Sequence, residues 1–278
     1  MVNLDRRCPS GIIGLDELIE GGFPRQRSIL LSGTCGSGKT TFAVQFLYKG
    51  ITDYNEPGIL ISLEQDPREL KEDMAAFGFD LQKEEDQGRL IIIDASLARA
   101  GTSRMDASIT SSRMFSEQPF GSRSLMPDEF NIDRILDLVV EDARKIGAKR
   151  VALDSLPALE FLMGNQSETE MRHSIRQLLI SINYRLKSAG LTTMLITEIP
   201  EEGPRISSAH GVESYIADGA INMYYTTMGM ESGRNMIIRK MRGTAHSEDV
   251  HPLAFKKGMG IYVMKSADTF QELEKRPF

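Results

Sequence analysis

The chain has 278 residues, 41% of them hydrophobic and 26% charged, with two cysteines, a balance that excludes wholesale disorder, a fibrous repeat and a disulfide scaffold. That length suits one large α/β domain, residues 1–278, and a net charge of −6 argues against a surface dedicated to coating nucleic acid, which needs a basic face. No apolar run reaches the ~20 residues of a membrane span, and the opening MVNLDRRCPSG carries no apolar signal region, so a cytoplasmic protein is expected.

In chain order, short β-branched runs alternate with segments of helical period. The predicted strands are Ser28–Ser32, Gly58–Leu63, Leu90–Asp94, Arg150–Leu153 and Thr192–Thr197, each ending in or next to a small or acidic residue. Such runs read as buried parallel strands joined by crossover helices. After Gly219 the pattern changes to Ala220–Tyr225, Asn235–Met241 and Gly260–Met264 with Gly-containing turns, which predicts antiparallel strands at one sheet edge. The expected architecture is a mixed sheet with parallel strands at its centre, flanked by helices. Between them, Leu97–Met126 is rich in Ser and Gly, carries Arg99, Arg104, Arg113 and Arg123, and loses apolar period, which predicts a mobile insert. Met171, Ile175, Leu178, Leu179, Ile182 and Leu186 follow helical spacing and form a core stripe, with His173 off it.

Gly33-Thr34-Cys35-Gly36-Ser37-Gly38-Lys39-Thr40 fits the spacing G-x-x-x-x-G-K-[ST], after a predicted strand and before a helix running through Phe42, Phe46 and Leu47. In such a cradle the glycines let backbone N–H groups converge on phosphate oxygens, and the helix N-terminus adds partial positive charge. Lys39 reaches the terminal phosphates, the Thr40 hydroxyl is placed for Mg²⁺, and Thr41 completes the nucleotide-binding run. Phosphate chemistry also needs a second acid for the metal, and Asp154, at the end of an apolar strand, is the candidate. Glu64, closing the strand Gly58–Leu63, is the candidate water-activating base, with helix capping ahead of Asp66-Pro67 as the alternative. Thr197 and Glu198 end another strand and either attend the γ-phosphate or are ordinary edge polarity. By alternation Met236, Ile238, Lys240 and Arg242 share one strand face, so Lys240 and Arg242 project together as a phosphate clamp or as a solvated strand end. His210, His246 and His251 lack metal-ligand spacing with the cysteines, so no zinc site is expected.

With these residues assembled, the chain resembles the KaiC-like branch of RecA-superfamily ATPases. The matching segments are Gly11-Ile12-Ile13-Gly14-Leu15-Asp16, Gly21-Gly22-Phe23-Pro24, the cradle, Leu63-Glu64-Gln65, Leu153-Asp154-Ser155, Thr197-Glu198, Gly211-Val212-Glu213 and Lys240-Met241-Arg242-Gly243-Thr244-Ala245-His246. The resemblance implies a RecA-like P-loop core in a ring, usually a hexamer, holding ATP and Mg²⁺ between neighbouring subunits. It implies that Lys240 and Arg242 reach across the boundary to the neighbour's γ-phosphate and that Glu64 is the catalytic base. Gln65 stands where the family commonly has a second Glu, and Gln26 where a Gly is usual. Ser214 falls near a phosphorylated pair of one clock-protein domain. The clock proteins carry this unit twice, and this chain carries it once. The expected activity is Mg²⁺-dependent ATP hydrolysis that serves a downstream protein partner. Two other readings share the cradle: an assembly switch that binds ATP without hydrolysing it, favoured by Gln65, and a nucleic-acid motor, disfavoured by the acidic balance and the lack of Trp.

Overall fold

The structure, a computed structural model, describes residues 6–95, 123–125, 131–163, 167–200, 213–228 and 231–264. Strands β1 (Arg7–Cys8) and β2 (Phe23–Pro24) make a short antiparallel ribbon, and β3 (Ser28–Gly33) leads into helix α1 (Lys39–Tyr54). There follow β4 (Gly58–Ser62), α2 (Pro67–Ala75), α3 (Leu81–Asp86), β5 (Leu90–Asp94) and β6 (Arg123–Ser124). Next come α4 (Ile132–Ile146), β7 (Arg150–Asp154), a 3-10 turn (Leu156–Met163), α5 (Glu168–Ser188) and β8 (Thr192–Glu198). The described chain closes with α6 (Glu213–Ile216), β9 (Gly219–Met228), β10 (Glu231–Met241), β11 (Val250–Lys256) and β12 (Gly260–Val263).

Among the described residues the main sheet has the order β12-β11-β10-β9-β3-β8-β7-β4-β5-β6. From β9 to β6 all pairings are parallel, and from β9 to β12 all are antiparallel. The strand expected at the antiparallel edge, β9, therefore faces both ways, parallel to β3 and antiparallel to β10. Strand alternation splits the core into two layers. Ile29 and Leu31 of β3 join α1 and the N-terminal residues on one face, while Leu30 joins α4 and α5 on the other. The stripe Ile175, Leu178, Leu179, Ile182 and Leu186 is buried in that second layer, with Met171 packed against it.

Two corrections concern the sequence pattern. The strand β11 lies between β10 and β12, where Pro252 and His251 had masked it. The alternation along β10 is broken by a bulge, because Ile238 pairs with Ile221 but Lys240 with the next residue, Ala220. Met236, Ile238 and Met241 are buried in the first core layer, so Lys240 and Arg242 leave the face that Met236 and Ile238 occupy, although they still project together. Of the expected insert 97–126, residues 123–125 are described. There Arg123 and Ser124 pair with Ile93 and Asp94, and Leu125 is buried; the rest lies outside the described residues.

At the edge where the parallel strands begin, Arg150 is fully buried. Its Nε donates to Glu56 at 2.7 Å, and its guanidinium donates to the carbonyls of Pro9 at 2.9 Å and Phe46 at 2.8 Å. A side chain at Gly50 would collide with Arg150, which explains the glycine inside α1. Removing one partner of such a buried pair costs about 3–5 kcal/mol.

Candidate active site

Because β3, β8, β7 and β4 are neighbours and parallel, their C-terminal ends line one crevice. Register places Gly33 beside Glu198 and Met223, and Ser62 beside Asp154. The Leu63 N–H donates to the Asp154 carbonyl at 2.7 Å, which sets Glu64 next to Asp154.

The loop leaving β3 needs its glycines. A Cβ on Gly33 would lie 2.6 Å from Ser37 Oγ and 2.9 Å from the Met223 carbonyl, and Gly36 and Gly38 have φ of 69° and 100°. The loop is sewn to β9, since Thr34 N–H donates to the Met223 carbonyl at 3.2 Å and Tyr225 N–H donates to Thr34 Oγ1 at 3.0 Å. Ser37 Oγ donates to the Thr34 carbonyl at 2.8 Å, and Lys39 Nζ turns back onto the carbonyls of Gly33 and Thr34 at 2.9 and 3.0 Å. The 16-residue α1 starts here with no capping side chain and no acidic residue in its first turn. No N-cap side chain and no acid of its own first turn answers its N-terminal partial charge, which fits a bound phosphate. Cys35 is exposed on this loop.

Beside the loop, the Thr40 hydroxyl donates to Asp154. Burial pushes the Asp154 carboxyl up to about 6; the Thr40 hydrogen bond opposes this, Glu64 adds to it, Lys39 opposes it and Glu198 adds to it. Lys39, Thr40, Glu64, Asp154 and Glu198 therefore converge. Among the described residues no three His, Cys, Asp or Glu side chains form a cage that could hold a metal alone. A hydroxyl and a carboxylate of hard oxygens, leaving other positions to water and phosphate, is the donor set Mg²⁺ takes. Glu64 accepts a hydrogen bond from the Ser155 hydroxyl. It does not cap α2, a task that falls to Asp66, whose carboxylate accepts from Arg68 N–H at 2.8 Å. Gln65 is occupied elsewhere, with its Nε2 donating to Asp73 at 2.8 Å.

Lys240 and Arg242 are not brought to this crevice. Since β10 runs antiparallel to β9, its last residues lie at the opposite edge, Lys240 level with Ala220 and Met241 with Gly219. The cradle starts level with Met223, three to four residues further along β9, or about 10–13 Å at the rise of a strand. Lys240 Nζ donates to the carbonyls of Ser214 and Ala217 at 3.0 and 2.6 Å, and Arg242 donates to the Tyr215 carbonyl at 3.1 Å. Burial and the nearby Arg242 charge lower the Lys240 pKa, with Asp218 pulling the other way. Asp218, 2% exposed, is a buried carboxylate of this edge, 3.0 Å from Arg27, 3.7 Å from Arg242 and 4.0 Å from Lys187.

Sequence reasoning did not single out Ser155 or Asp218. Ser155 adjoins Asp154 and carried a readable signal; Asp218 acquires its partners only from the β3, β9 and β10 registers. Nor did it foresee Arg234, whose Nε donates to the Gly36 carbonyl at 2.9 Å from between the rings of Tyr225 and Phe255.

The family described as "ATPase: KaiC" matches residues 8–268. The circadian clock oscillator protein KaiC of Thermostichus vulcanus is 32% identical over 258 residues, covering 92% of this chain and 44% of that protein. The chain thus spans less than half the length of that relative. A UPF0273 protein, MJ1359, of Methanocaldococcus jannaschii is 34% identical over 258 residues, covering 92% of this chain and 96% of its own length. The solved structure of KaiC-like protein PH0186 from Pyrococcus horikoshii superposes with a TM-score of 0.72 at 35% identity, covering 94% of this chain and 99% of the other.

Proposed function

Because the chain belongs to the KaiC family of ATPases, we propose that it binds ATP with Mg²⁺ in the 33–41 loop, hydrolyses it, and does so in a ring of copies, a hexamer, that share sites across their boundaries. The observation that carries this reading is the separation just described: the phosphate loop, the acids and Lys39 meet at one edge of the sheet, and the two remaining candidate cations sit at the other. Within one copy the set is incomplete, and a head-to-tail contact would complete it, because each subunit of a ring turns different surfaces to its two neighbours.

In this reading Thr40 and Asp154 would hold Mg²⁺, which when bound would offset charge on the transferring phosphoryl. Lys39 exchanges the carbonyls of Gly33 and Thr34 for the terminal phosphates. Ser155 fixes one oxygen of Glu64, leaving the other to take a proton from water as that water attacks phosphorus in line and the bond to the ADP oxygen breaks. Lys240 and Arg242 of the adjoining copy exchange backbone carbonyls for γ-phosphate oxygens.

Native mass determination with and without ATP and Mg²⁺, on a sample also assayed for phosphate release, tests the proposal. A ring-sized mass together with released phosphate is expected. Binding and assembly without release in a single turnover would replace the ATPase with the switch reading, and a protein that neither binds nor assembles would overturn both.

A further inference from the structure

At the edge opposite the cradle, the buried carboxylate of Asp218 is outnumbered by the cations around it. Its Oδ1 lies 3.0 Å from Arg27 and 3.7 Å from Arg242, and its Oδ2 lies 4.0 Å from Lys187, so one negative charge faces three positive ones. Asp218 is tied to β3, the strand that feeds the cradle: its N–H donates to the Ser28 carbonyl at 2.9 Å, and the Ser28 N–H donates to Oδ2 at 3.4 Å. It holds Arg242 twice, because the Arg242 N–H donates to the Asp218 carbonyl at 2.9 Å while the guanidinium rests near the carboxylate. Lys240 is held by the residues just before it, through the carbonyls of Ser214 and Ala217.

The two arginine contacts differ in kind. Arg27 is hydrogen-bonded to the carboxylate, whereas Arg242 stands beyond hydrogen-bond reach and its side chain is 53% exposed. Such spacing attracts the guanidinium without using its donors on the carboxylate, so they stay open to a phosphate from outside. Lys240 and Arg242 repel one another, and Asp218 attracts both. With the carboxylate gone, Arg27, Lys187 and Lys240 would all push the Arg242 head group away. We propose that Asp218 is the positioning residue for the cations offered to the neighbouring copy, holding Lys240 and Arg242 together with donors free for its γ-phosphate. This rests on the reading of a site shared between copies.

Mixed assembly assigns Asp218 to one edge or the other. Asp218→Asn keeps the shape and removes the charge, and Asp218→Ser replaces it if thermal unfolding shows that the amide does not fold. Dissociated subunits of the variant should bind Mg–ATP as the wild type does, because their own cradle is intact. Single-turnover phosphate release by the assembly should fall on the order of 10²-fold, the effect of a misplaced catalytic group. Co-assembled with Lys39→Ala, the variant should regain release, since that neighbour brings sound cations; co-assembled with Arg242→Ala it should not, because both lesions lie on one edge. Combined with Arg242→Ala in one chain, it should cost little more than Arg242→Ala alone. Wild-type release in Asp218→Asn would overturn the proposal, and so would recovery with Arg242→Ala, an additive loss in the double variant, or weakened ATP binding by dissociated subunits, each of which marks a merely structural role. If Lys39→Ala and Arg242→Ala fail to complement each other in confirmed mixed assemblies, the shared-site reading falls and the role of Asp218 with it; if they complement while Asp218→Asn keeps full release, only the role of Asp218 falls.

Discussion

At the edge where β3, β7 and β4 end, Asp154 shares a small space with Glu64 and Glu198, and burial pushes its carboxyl up to about 6. At the edge where those strands begin, Asp218 is closed in by Arg27, Arg242 and Lys187, and Arg150 is matched by Glu56 at 2.6 Å. Ser32 and Thr197, cross-strand neighbours beneath the first edge, carry buried hydroxyls with no hydrogen-bond partner among the described residues. One end of the sheet pairs its charges internally, and the other concentrates acids and leaves Lys39 folded onto loop carbonyls. Unanswered polarity of this kind persists where a ligand completes the set.

The largest effect should come from Lys39→Ala. Removing the ammonium at the unsatisfied edge is expected to weaken ATP by at least 100-fold while leaving the thermal midpoint close to wild type, as read by calorimetry and thermal unfolding. Glu64→Gln comes next. It keeps the side chain's shape but removes the basic lone pair, so ATP affinity should hold while single-turnover phosphate release falls on the order of 10²–10⁴-fold. Normal release would transfer the role to Glu198, the other carboxylate of the crevice.

Asp154→Asn tests the stability side of the comparison. A carboxyl whose folded pKa is raised stabilises the fold at low pH and loses that contribution as pH rises through the folded value, here about 6. At pH 7.5 without nucleotide, Asn should therefore raise the thermal midpoint by about 2–6 °C, and the gain should shrink at pH 5. A lower midpoint at pH 7.5 would mean that the carboxylate is better satisfied than its surroundings indicate. The smallest effect concerns the opposite edge. Gln26 is exposed and adopts φ of 56°, a region that costs a side chain about 1–2 kcal/mol. Gln26→Gly should recover roughly 0.5–1 kcal/mol, the remainder being offset by chain entropy, with ATP affinity unaltered.

How much of this was legible depended on the range of the interactions. The strands β4, β5, β7 and β8 lie within a residue of their expected spans because each is an apolar run buried on both faces, and Leu90–Asp94 matches at both ends. The loop 33–40 was readable because its spacing is local. Strand β11 was not, since Val250-His251-Pro252 breaks the strand signal and its alternation is only half-buried. The bulge before Lys240 leaves no mark in composition, yet it decides which face Lys240 takes. The stack of Tyr225, Arg234 and Phe255 arises only when three registers are known together. Gln26 was visible as a departure from a glycine position, and the structure gives it the left-handed backbone a glycine would supply.

If the two edges meet between copies, as proposed, mixed assembly tests it most directly. A Lys39→Ala subunit has a disabled cradle and intact Lys240 and Arg242, whereas an Arg242→Ala subunit has a sound cradle and a deficient opposite edge. Each variant alone should be nearly inactive, since a cation supplied in trans can contribute on the order of 10³-fold or more to phosphoryl transfer. Co-assembled from dissociated subunits, they should regain a fraction of wild-type phosphate release, highest at an intermediate mixing ratio, because one complete site forms at each productive boundary. Mixed assemblies confirmed by native mass whose release stays at the level of the separate variants would contradict the claim.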